Sequence, residues 1–432
     1  MFSVPALIKI LIIFALVVLA TAKHVHLGLA AAIGGVLIAL WQGLGPGAIA
    51  VATVKELINP DLILLVVLLT GIMMFSSAMK KSGAMDTFSA TIAEAAPSRR
   101  VALAVAPLLI GTLPMPGGAI ISAPLVGAMN GDDTRSPETL AAVNYWFRHV
   151  LELIWPLFPA FILTAGLTKI PVPTLIGLNL YAPITVYFLG MIFILPKSKE
   201  LSATTKNRAG KPNFSKVARG IAPLGIVLLS YIILDVLWEF VSPSLGMKPD
   251  SRSLIGRYGP VLLGLLIGSL YLIKIAGGPG IFKKCITHST LELIGVIIGI
   301  RVFSALMSAA DLAHAASTEL ASAGIPAIIV IALLPFISGI VTGVGLGYVG
   351  LSIPIVMGII SSSGTPFEAG IIIASAFGYA GMMFSPLHVC MVVTVQHFKS
   401  SLPLTIRKFA LPLTIYLIIA SAYGALLIAL MR

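Results

Sequence analysis

Long apolar segments separated by short polar loops make up most of this chain. A helix that crosses a bilayer needs about 20 mainly apolar residues. We interpret ten segments as such spans, at residues 5–22, 27–42, 61–79, 138–164, 174–195, 220–242, 254–274, 287–309, 366–394 and 406–431. The pattern therefore predicts an all-α, polytopic membrane protein with about ten transmembrane helices.

Two further apolar segments, residues 100–130 and 326–361, are interrupted midway by glycine or proline. The first contains Thr-Leu-Pro-Met-Pro-Gly-Gly at 112–118, and the second contains Ser-Gly-Ile-Val-Thr-Gly-Val-Gly-Leu-Gly at 338–347. We expect each half to be too short to cross a bilayer alone. Irregular backbone survives at membrane depth only where protein or a cavity surrounds it. We therefore predict two re-entrant hairpins, each of which enters and leaves on one side of the membrane.

The second half of the chain repeats motifs of the first half at an offset of 228 to 230 residues. Gly-Ile-x-x-Phe-Ser-x-x-Met begins at residues 71 and 299, and Ser-x-Pro-x-Val begins at residues 122 and 352. Pro-Leu begins at residues 156 and 386, and a threonine follows each proline eight residues later. Repeats of this size in a very apolar chain are typical of secondary transporters. They predict one structural repeat at 1–195 and a second at 220–432.

Basic residues in the loops indicate the orientation, because cytoplasmic loops carry an excess of Lys and Arg. The polar segment 196–219 carries seven basic residues and one glutamate, a net charge of +6. We interpret it as a cytoplasmic linker between the repeats. The other basic loops alternate consistently if both termini lie outside. Five predicted spans separate the two hairpins, so the hairpins would enter from opposite sides and the repeats would be inverted.

Composition supports the membrane assignment, since 58% of the residues are hydrophobic, 10% are charged and the mean hydropathy is +1.05. A soluble domain carries about 25% charged residues. The net charge of +12 lies mainly in short loops, where it indicates topology rather than nucleic-acid binding. Cys285 and Cys390 are too few for a disulfide framework and lack the spacing of metal ligands. We expect a multi-pass protein of the cell (inner) membrane, without a cofactor or a resident metal.

Prolines interrupt the predicted span that follows each hairpin, at residues 155–159 and 385–388. A proline removes a backbone hydrogen bond and kinks or breaks the helix. A break leaves unpaired N–H groups that attract anions and unpaired C=O groups that can hold Na⁺. A simple proline kink is the alternative explanation. Two breaks at equivalent positions of the repeats favour a binding site.

A polar cluster within the predicted span 138–164 supplies the strongest candidate side chains. Asn144, Arg148 and Glu152 are spaced at four-residue intervals, which would place them on one helix face. Intramembrane charges are costly and commonly mark a transport pathway. We expect Arg148 to hold a carboxylate substrate and Glu152 to carry a proton or a cation; a structural Arg148–Glu152 ion pair is the alternative. His149 points about 100° away from this face and is a further candidate.

Further candidates come from the second repeat and from the hairpin tips. Arg301 could pair with Glu152 or hold a second carboxylate, or serve as a structural counter-ion. His388 at the second break is a candidate proton carrier, or a helix-end histidine bonded to a carbonyl. The other candidates for substrate or ion binding are Pro116, Gly117, Gly118, Thr342, Gly343, Gly345 and Ser385. The hydroxyl groups that could coordinate Na⁺ belong to Thr112, Ser122, Thr342 and Ser352.

Three strings of the chain resemble a known family: Leu-Pro-Met-Pro-Gly-Gly at 113–118, Asn-Tyr-Trp-Phe-Arg-His at 144–149 and Ser-Pro-Leu-His-Val-Cys at 385–390. It is an uncharacterised, largely archaeal and bacterial integral membrane family (DUF401-like) of the ion-transporter superfamily, whose other members include dicarboxylate, citrate and gluconate permeases. The resemblance covers essentially the whole chain. It implies inverted repeats, paired hairpins and alternating access, in a homodimer with an elevator-type motion. The Ser-Asn-Thr motif of the dicarboxylate permeases is absent from both hairpin tips of this chain.

The residues and the resemblance together predict a secondary active transporter, and not an enzyme, for a small organic anion. Its coupling ion would be Na⁺ or H⁺. A cation/proton antiporter that uses Glu152 is the alternative, since it shares the fold and needs no organic substrate. An intramembrane enzyme that uses His388 with Cys390 or Glu152 is a minor alternative, because no paired-Asp, metal or nucleophile motif stands at suitable spacing. The expected partners are the lipid bilayer and a small anion, not nucleic acid.

Overall fold

The computed structural model describes residues 4–84, 98–113, 118–130, 135–197 and 214–432, and every regular element in these residues is helical. The helices of the first half are α1 (Ala6–Ala22), α2 (Leu27–Trp41), α3 (Pro46–Leu57), α4 (Pro60–Lys81), α5 (Arg99–Gly111), α6 (Ala119–Asn130), α7 (Pro137–Arg148), α8 (Pro159–Thr168), α9 (Val172–Asn179) and α10 (Tyr181–Leu189). Those of the second half are α11 (Phe214–Val241), α12 (Pro249–Ile275), α13 (His288–Ala309), α14 (Leu312–Ser322), α15 (Ala327–Thr342), α16 (Gly345–Ser363), α17 (Phe367–Phe384), α18 (Val389–Phe398) and α19 (Leu402–Met431).

Eight helical segments in the described part of the chain are long and apolar enough to cross a membrane. Large apolar side chains on their outer faces remain exposed, such as Phe240 at 79% and Leu430 at 73%. Exposure of this kind is expected where lipid, rather than water, surrounds the helices. The protein is therefore a multi-pass membrane protein. The eight segments lie at 60–81, 172–194, 222–245, 249–275, 288–309, 345–363, 367–398 and 402–431.

The predicted span 138–164 differs from the structure in a way that matters for the site. It divides into α7 and α8, and the residues between them, 149–158, are not helical. The break is therefore wider than the predicted 155–159. Pro156 explains part of this width, because a helical proline clashes with the carbonyl four residues earlier, which belongs to Glu152. The second break, at 385–388, separates α17 from α18 at the predicted residues.

A helix–turn–helix precedes the second break. α15 and α16 pack against each other and are joined at Gly343, whose φ of 63° lies in the left-handed region that favours glycine. The expectation that each half is too short to span a membrane is wrong for α16, which has 19 residues and is long and apolar enough. Other helices enclose most of it, since 72% of its apolar window is buried. The turn at Gly343 therefore approaches the second break from inside the protein.

The corresponding segment of the first half consists of α5 and α6, which have 13 and 12 residues and pack against each other. The predicted binding residues Pro116 and Gly117 lie outside the described residues. Gly111 ends α5, and Gly118 stands immediately before α6. Leu113 and Gly118 are therefore the last and first described residues on either side of the connection between α5 and α6.

Glycines allow two pairs of helices to approach closely beside the breaks. A side chain at Gly28 of α2 would collide with the backbone of α13 at Gly295. A side chain at Gly381 of α17 would collide with the backbone carbonyl of Phe336 in α15. Small residues at helix contacts are the usual means of close packing in membranes. Close packing therefore fixes the position of α2 relative to α13 and of α15 relative to α17.

Candidate functional site

Side chains from both helix breaks line one cavity of about 470 Å³. Arg148, His149 and Glu152 come from the first break, and His388 and Cys390 come from the second. The structure thus brings together four of the predicted site residues from positions more than 200 residues apart. The α5–α6, α15–α16 and α2–α13 pairs complete the walls. Their lining residues are Gly111, Leu113, Val344, Leu346, His26, Leu27, Ser289, Glu292, Leu293 and Val296.

Arg148, the last residue of α7, is 6% exposed, and two glycines make room for it. A side chain at Gly118 would collide with its guanidinium, and a side chain at Gly111 would collide with its backbone carbonyl. Its Nη1 is buried and has no hydrogen-bond partner in the described chain. A guanidinium stays charged and acts only as a donor. A buried, unpaired donor of this kind is costly unless an anion binds to it.

Glu152 does not lie on the helix face that the four-residue spacing predicted. That prediction is wrong because α7 ends at Arg148, and Glu152 lies in a turn where its N–H donates to the carbonyl of His149 at 3.2 Å. No salt bridge between Arg148 and Glu152 is present among the described residues. An ideal Cβ on Gly345, in the first turn of α16, would stand 3.2 Å from Glu152 Oε1. The carboxylate therefore sits directly beside the turn between α15 and α16.

His149 and His388 join the two breaks through their imidazole rings. The two Nε2 atoms are 3.1 Å apart, and the ring centroids are 4.8 Å apart at an angle of 83°. His149 Nδ1 lies 2.7 Å from the carbonyl of Tyr145, so this nitrogen carries the hydrogen and its Nε2 accepts from His388. The remaining nitrogen of His388, Nδ1, is buried without a hydrogen-bond partner in the described chain. Of the two interpretations offered for His388, a proton carrier and a helix-end histidine bonded to a carbonyl, the second does not match its contact with His149.

Asn144 ties the two broken helices together but does not line the cavity. Its Nδ2 donates to Thr394 Oγ1 at 2.9 Å, which joins α7 to α18 across 250 residues of sequence. Its Oδ1 is buried and unpaired in the described residues. Thr394 is one of the two threonines that the repeated motifs place eight residues after a proline. The contact fixes the position of α7 relative to α18 and thereby the position of Arg148.

A second, much smaller cavity of about 10 Å³ lies on the other side of Glu152. Its polar lining consists of Glu152, Thr164, Asn179, Tyr348 and Ser375. Asn179 is 1% exposed, and its Oδ1 has no hydrogen-bond partner in the described chain. A space of this size holds about one water molecule or one small ion. Sequence analysis missed these residues other than Glu152, because single hydroxyl and amide groups in apolar helices give no distinctive pattern.

The hydroxyl groups predicted near the hairpin tips bond mainly to backbone carbonyls. Thr342 donates to the carbonyl of Ser338 at 2.7 Å, Ser352 donates to that of Tyr348, and Ser122 donates to that of Gly118 at 3.4 Å. Local bonds of this kind are common for Ser and Thr in apolar helices. Thr112 likewise donates to the carbonyl of Leu109 at 2.6 Å.

Ser385 holds the second break against the turn of the α15–α16 pair. Its Oγ donates to the carbonyl of Ile340 at 2.6 Å and accepts from the N–H of Leu387 at 3.2 Å. An ideal Cβ on Gly343 would stand 2.9 Å from Ser385 Oγ and 2.9 Å from the backbone nitrogen of His388. Among the predicted tip residues, Gly343 and Ser385 therefore act in positioning His388.

Arg301 belongs to a separate buried network and does not pair with Glu152. Its Nε lies 2.6 Å from Glu56 Oε1, and its Nη1 lies 3.0 Å from Asp61 Oδ2. Arg257 pairs with the other oxygen of Asp61 at 2.7 Å. Of the interpretations offered for Arg301, the structural counter-ion agrees with these contacts, and pairing with Glu152 is wrong. Sequence analysis missed Glu56 because α3 is short and polar enough to resemble a loop, and it also missed Asp61, which lies in the first turn of α4.

Cys390, His26 and Glu292 also line the larger cavity, although sequence analysis did not select them as site residues. Cys390 stands two residues after His388 and near the start of α18. His26 Nε2 lies 3.1 Å from the carbonyl of Glu292, which links the start of α2 to α13. An ionisable residue in an otherwise apolar helix start is the signal that could have identified them.

The chain belongs to the DUF401 family, which is described as a protein family of unknown function, and the family matches residues 6–242 and 274–428. Among curated proteins, none matches the chain. A solved structure with a similar fold is that of the YdaH transporter of Alcanivorax borkumensis, which is described as having an unusual topology. The two chains are 15% identical, 83% of this chain and 84% of that chain are covered, and the TM-score is 0.56. At this identity the likeness concerns the fold.

Proposed function

We propose that this protein is a secondary active transporter that carries a small organic anion across the cell membrane and couples its movement to Na⁺ or H⁺. The observation that carries the proposal is the unpaired guanidinium nitrogen of Arg148 in a cavity between two broken helices. The fold, which resembles that of a membrane transporter, supports the general class.

The chemistry of the cavity favours an organic anion. Its volume of about 470 Å³ is within the range of small-molecule sites. A guanidinium presents its donors in a planar fork that matches a carboxylate. Around this charge the walls are mainly apolar, which suits the carbon skeleton of a substrate better than a bare inorganic ion. The apolar lining residues are Leu27, Met73, Leu113, Phe158, Pro159, Leu293, Val296, Val344 and Leu346.

Helix ends add to the preference for negative charge. The second helix of each broken pair, α8 and α18, has ten residues and begins at the cavity, since Pro159 and Cys390 both line it. The N-terminus of a helix carries a partial positive charge. Two such ends and Arg148 thus act on an anion from both halves of the chain. Inverted repeats that move relative to each other would expose this cavity to each side of the membrane in turn.

Counterflow in proteoliposomes tests the proposal directly. The purified protein is reconstituted in liposomes loaded with one of a panel of mono-, di- and tricarboxylates, and uptake of the labelled compound is followed with imposed Na⁺ or pH gradients. We expect accumulation of at least one carboxylate, with loss of uptake in Arg148→Gln and normal uptake in Arg252→Gln, which alters a half-exposed arginine far from the site. No exchange of any carboxylate by a folded, monodisperse protein would refute the proposal.

A cation/proton antiporter that uses Glu152 is the second candidate. The small polar cavity behind Glu152 supports it, because oxygen atoms of carboxylate, amide and hydroxyl groups are the ligands that small cations prefer. Proton flux driven by a Na⁺ gradient alone, without any organic substrate and lost in Glu152→Gln, would favour this mechanism. Carboxylate-dependent flux would favour the anion transporter.

A further inference from the structure

The base of the larger cavity collects three side chains with the chemistry of metal ligands. His149 and His388 offer ring nitrogens and Cys390 offers a sulfur, and these ligand atoms all lie within 4.8 Å of one another. The two histidines are buried and Cys390 is half-buried. Their positions in the sequence, 149, 388 and 390, show no ligand spacing, so only the fold reveals the cluster.

The distances are close to those of a tetrahedral metal site. Typical Zn–N and Zn–S bonds of about 2.0 and 2.3 Å place two nitrogen ligands about 3.3 Å apart, and nitrogen and sulfur about 3.5 Å apart. The Nε2 atoms of His149 and His388 are already 3.1 Å apart. Cys390 Sγ needs to approach by about 1.3 Å at most, which a rotation of its side chain can supply. Little reorganisation of the backbone is required.

The surroundings orient the first ligand. A histidine that binds a metal usually donates its other ring N–H to a carbonyl or carboxylate, which fixes the tautomer. His149 Nδ1 makes such a bond to the carbonyl of Tyr145 at 2.7 Å, so the lone pair of the ring lies on its Nε2. A metal would replace the hydrogen bond that this Nε2 accepts from His388, and the ring hydrogen of His388 would then lie on its Nδ1. The ring of Tyr145 also contacts both imidazoles, with centroid distances of 4.9 and 5.3 Å. Tyr145 therefore restricts the rotation of both rings.

We propose that His149, His388 and Cys390 form a binding site for one borderline divalent transition-metal ion such as Zn²⁺. Imidazole and thiolate ligands favour such ions over Mg²⁺, Ca²⁺ and Na⁺, which prefer oxygen. Three protein ligands leave a fourth position open toward the cavity. Arg148 opposes a bound cation there, whereas the carboxylate of Glu152 on the same wall favours it.

The metal site goes beyond the proposed transport of an organic anion and does not depend on it. Binding is measured at equilibrium on the full-length protein, without a gradient or a substrate. A protein that fails every carboxylate exchange assay can still bind the metal, and a protein that transports a carboxylate can fail to bind it. The two proposals are therefore refuted by different results.

Titration with Co²⁺ as a spectroscopic substitute for Zn²⁺ is the first test. We expect one Co²⁺ per chain and a near-ultraviolet band from charge transfer between a thiolate and cobalt. Cys390→Ser should abolish the band, whereas Cys285→Ser should retain it, because Cys285 lies elsewhere, with its sulfur 3.0 Å from the carbonyl of Ile281. Sub-stoichiometric binding, or a band that disappears with Cys285 instead of Cys390, would overturn the site.

Protection from alkylation gives a second readout that does not require removal of a ligand. In Cys285→Ser, Cys390 is the remaining cysteine, and its reaction with N-ethylmaleimide is followed with and without Zn²⁺. We expect Zn²⁺ to slow the reaction at least tenfold. His149→Gln and His388→Gln should each raise the Zn²⁺ concentration needed for half-maximal protection by roughly 10- to 100-fold. Equal alkylation rates with and without Zn²⁺, or protection unchanged in both histidine variants, would show a simple pair of hydrogen-bonded histidines instead.

Discussion

Replacing Gly118 with alanine would move the guanidinium of Arg148 without changing the residue that carries it. An ideal Cβ on Gly118 lies 2.8 Å from Arg148 Cζ, whereas ordinary van der Waals contact begins at 3.4 Å. Arg148 Nη2 lies still closer to this Cβ than Cζ does, so the guanidinium must move by more than about 0.6 Å. Because it is the end of a flexible side chain, the displacement should leave the fold intact.

The expected effect of Gly118→Ala follows from the sensitivity of a positioned group to displacement. A shift of about 1 Å can cost about 100-fold in rate, so a shift of more than about 0.6 Å should cost at least about tenfold. Tenfold corresponds to about 1.4 kcal/mol. We expect this loss in kcat/KM for counterflow of the most active carboxylate, with an unchanged melting temperature.

Gly127→Ala is the matched control for this change, because it lies on α6 as well. Its added Cβ would meet only Phe398 Cε1, at an ordinary distance of 3.7 Å. It should transport at the wild-type rate. Wild-type kinetics in Gly118→Ala, or an equal loss in Gly127→Ala, would refute the inference that Arg148 holds the substrate in the position observed.

Three further changes test other parts of the molecule. Asp61→Asn removes the carboxylate shared by Arg257 and Arg301, and we expect a fall in melting temperature that corresponds to about 3–5 kcal/mol. The control Glu239→Gln alters an exposed ion pair at 3.9 Å and should cost less than about 1 kcal/mol. Equal losses of stability in the two variants would contradict the buried network. Gly343→Ala and Gly364→Ala introduce similar backbone strain, since their φ angles are 63° and 70°. Of these two variants, only Gly343→Ala creates a steric clash with Ser385 and His388, so only this variant should lower the rate of counterflow tenfold or more. Asn179→Ala removes an unpaired oxygen from the small cavity, and it should raise the Na⁺ concentration for half-maximal transport roughly tenfold; an unchanged Na⁺ dependence would exclude a cation there.

The apolar segments predicted most of the helices because burial in lipid demands about the same length and composition of every span. α3 was missed because it has 12 residues and carries Lys55 and Glu56. The reason for its polarity is a partner 245 residues away, since Glu56 pairs with Arg301. The local sequence pattern around Glu56 does not indicate such a long-range contact.

The residues of the site could be selected from the sequence, but their arrangement could not. Charged and titratable residues in apolar surroundings identified Arg148, Glu152 and His388. The four-residue spacing then placed Arg148 and Glu152 on one helix face. Residues 149–155 contain neither glycine nor proline, so the sequence does not indicate that α7 ends at Arg148. The end of α7 is set instead by the close approach of Gly111 to the carbonyl of Arg148 and by Pro156 farther along. The first effect depends on tertiary structure, and the second depends on a residue well after the end of α7.

Three buried arginines in this protein show how pairing distinguishes a structural charge from a binding charge. Arg257 and Arg301 are 7% exposed, and their two positive charges meet the two negative charges of Asp61 and Glu56. Such a network is neutral, although Arg257 Nε has no hydrogen-bond partner among the described residues. Arg148 is equally buried, at 6%, but has no carboxylate partner among the described residues. An anion that enters the cavity would offset the cost of burying this charge. An anion that also leaves is the condition for transport rather than for stability.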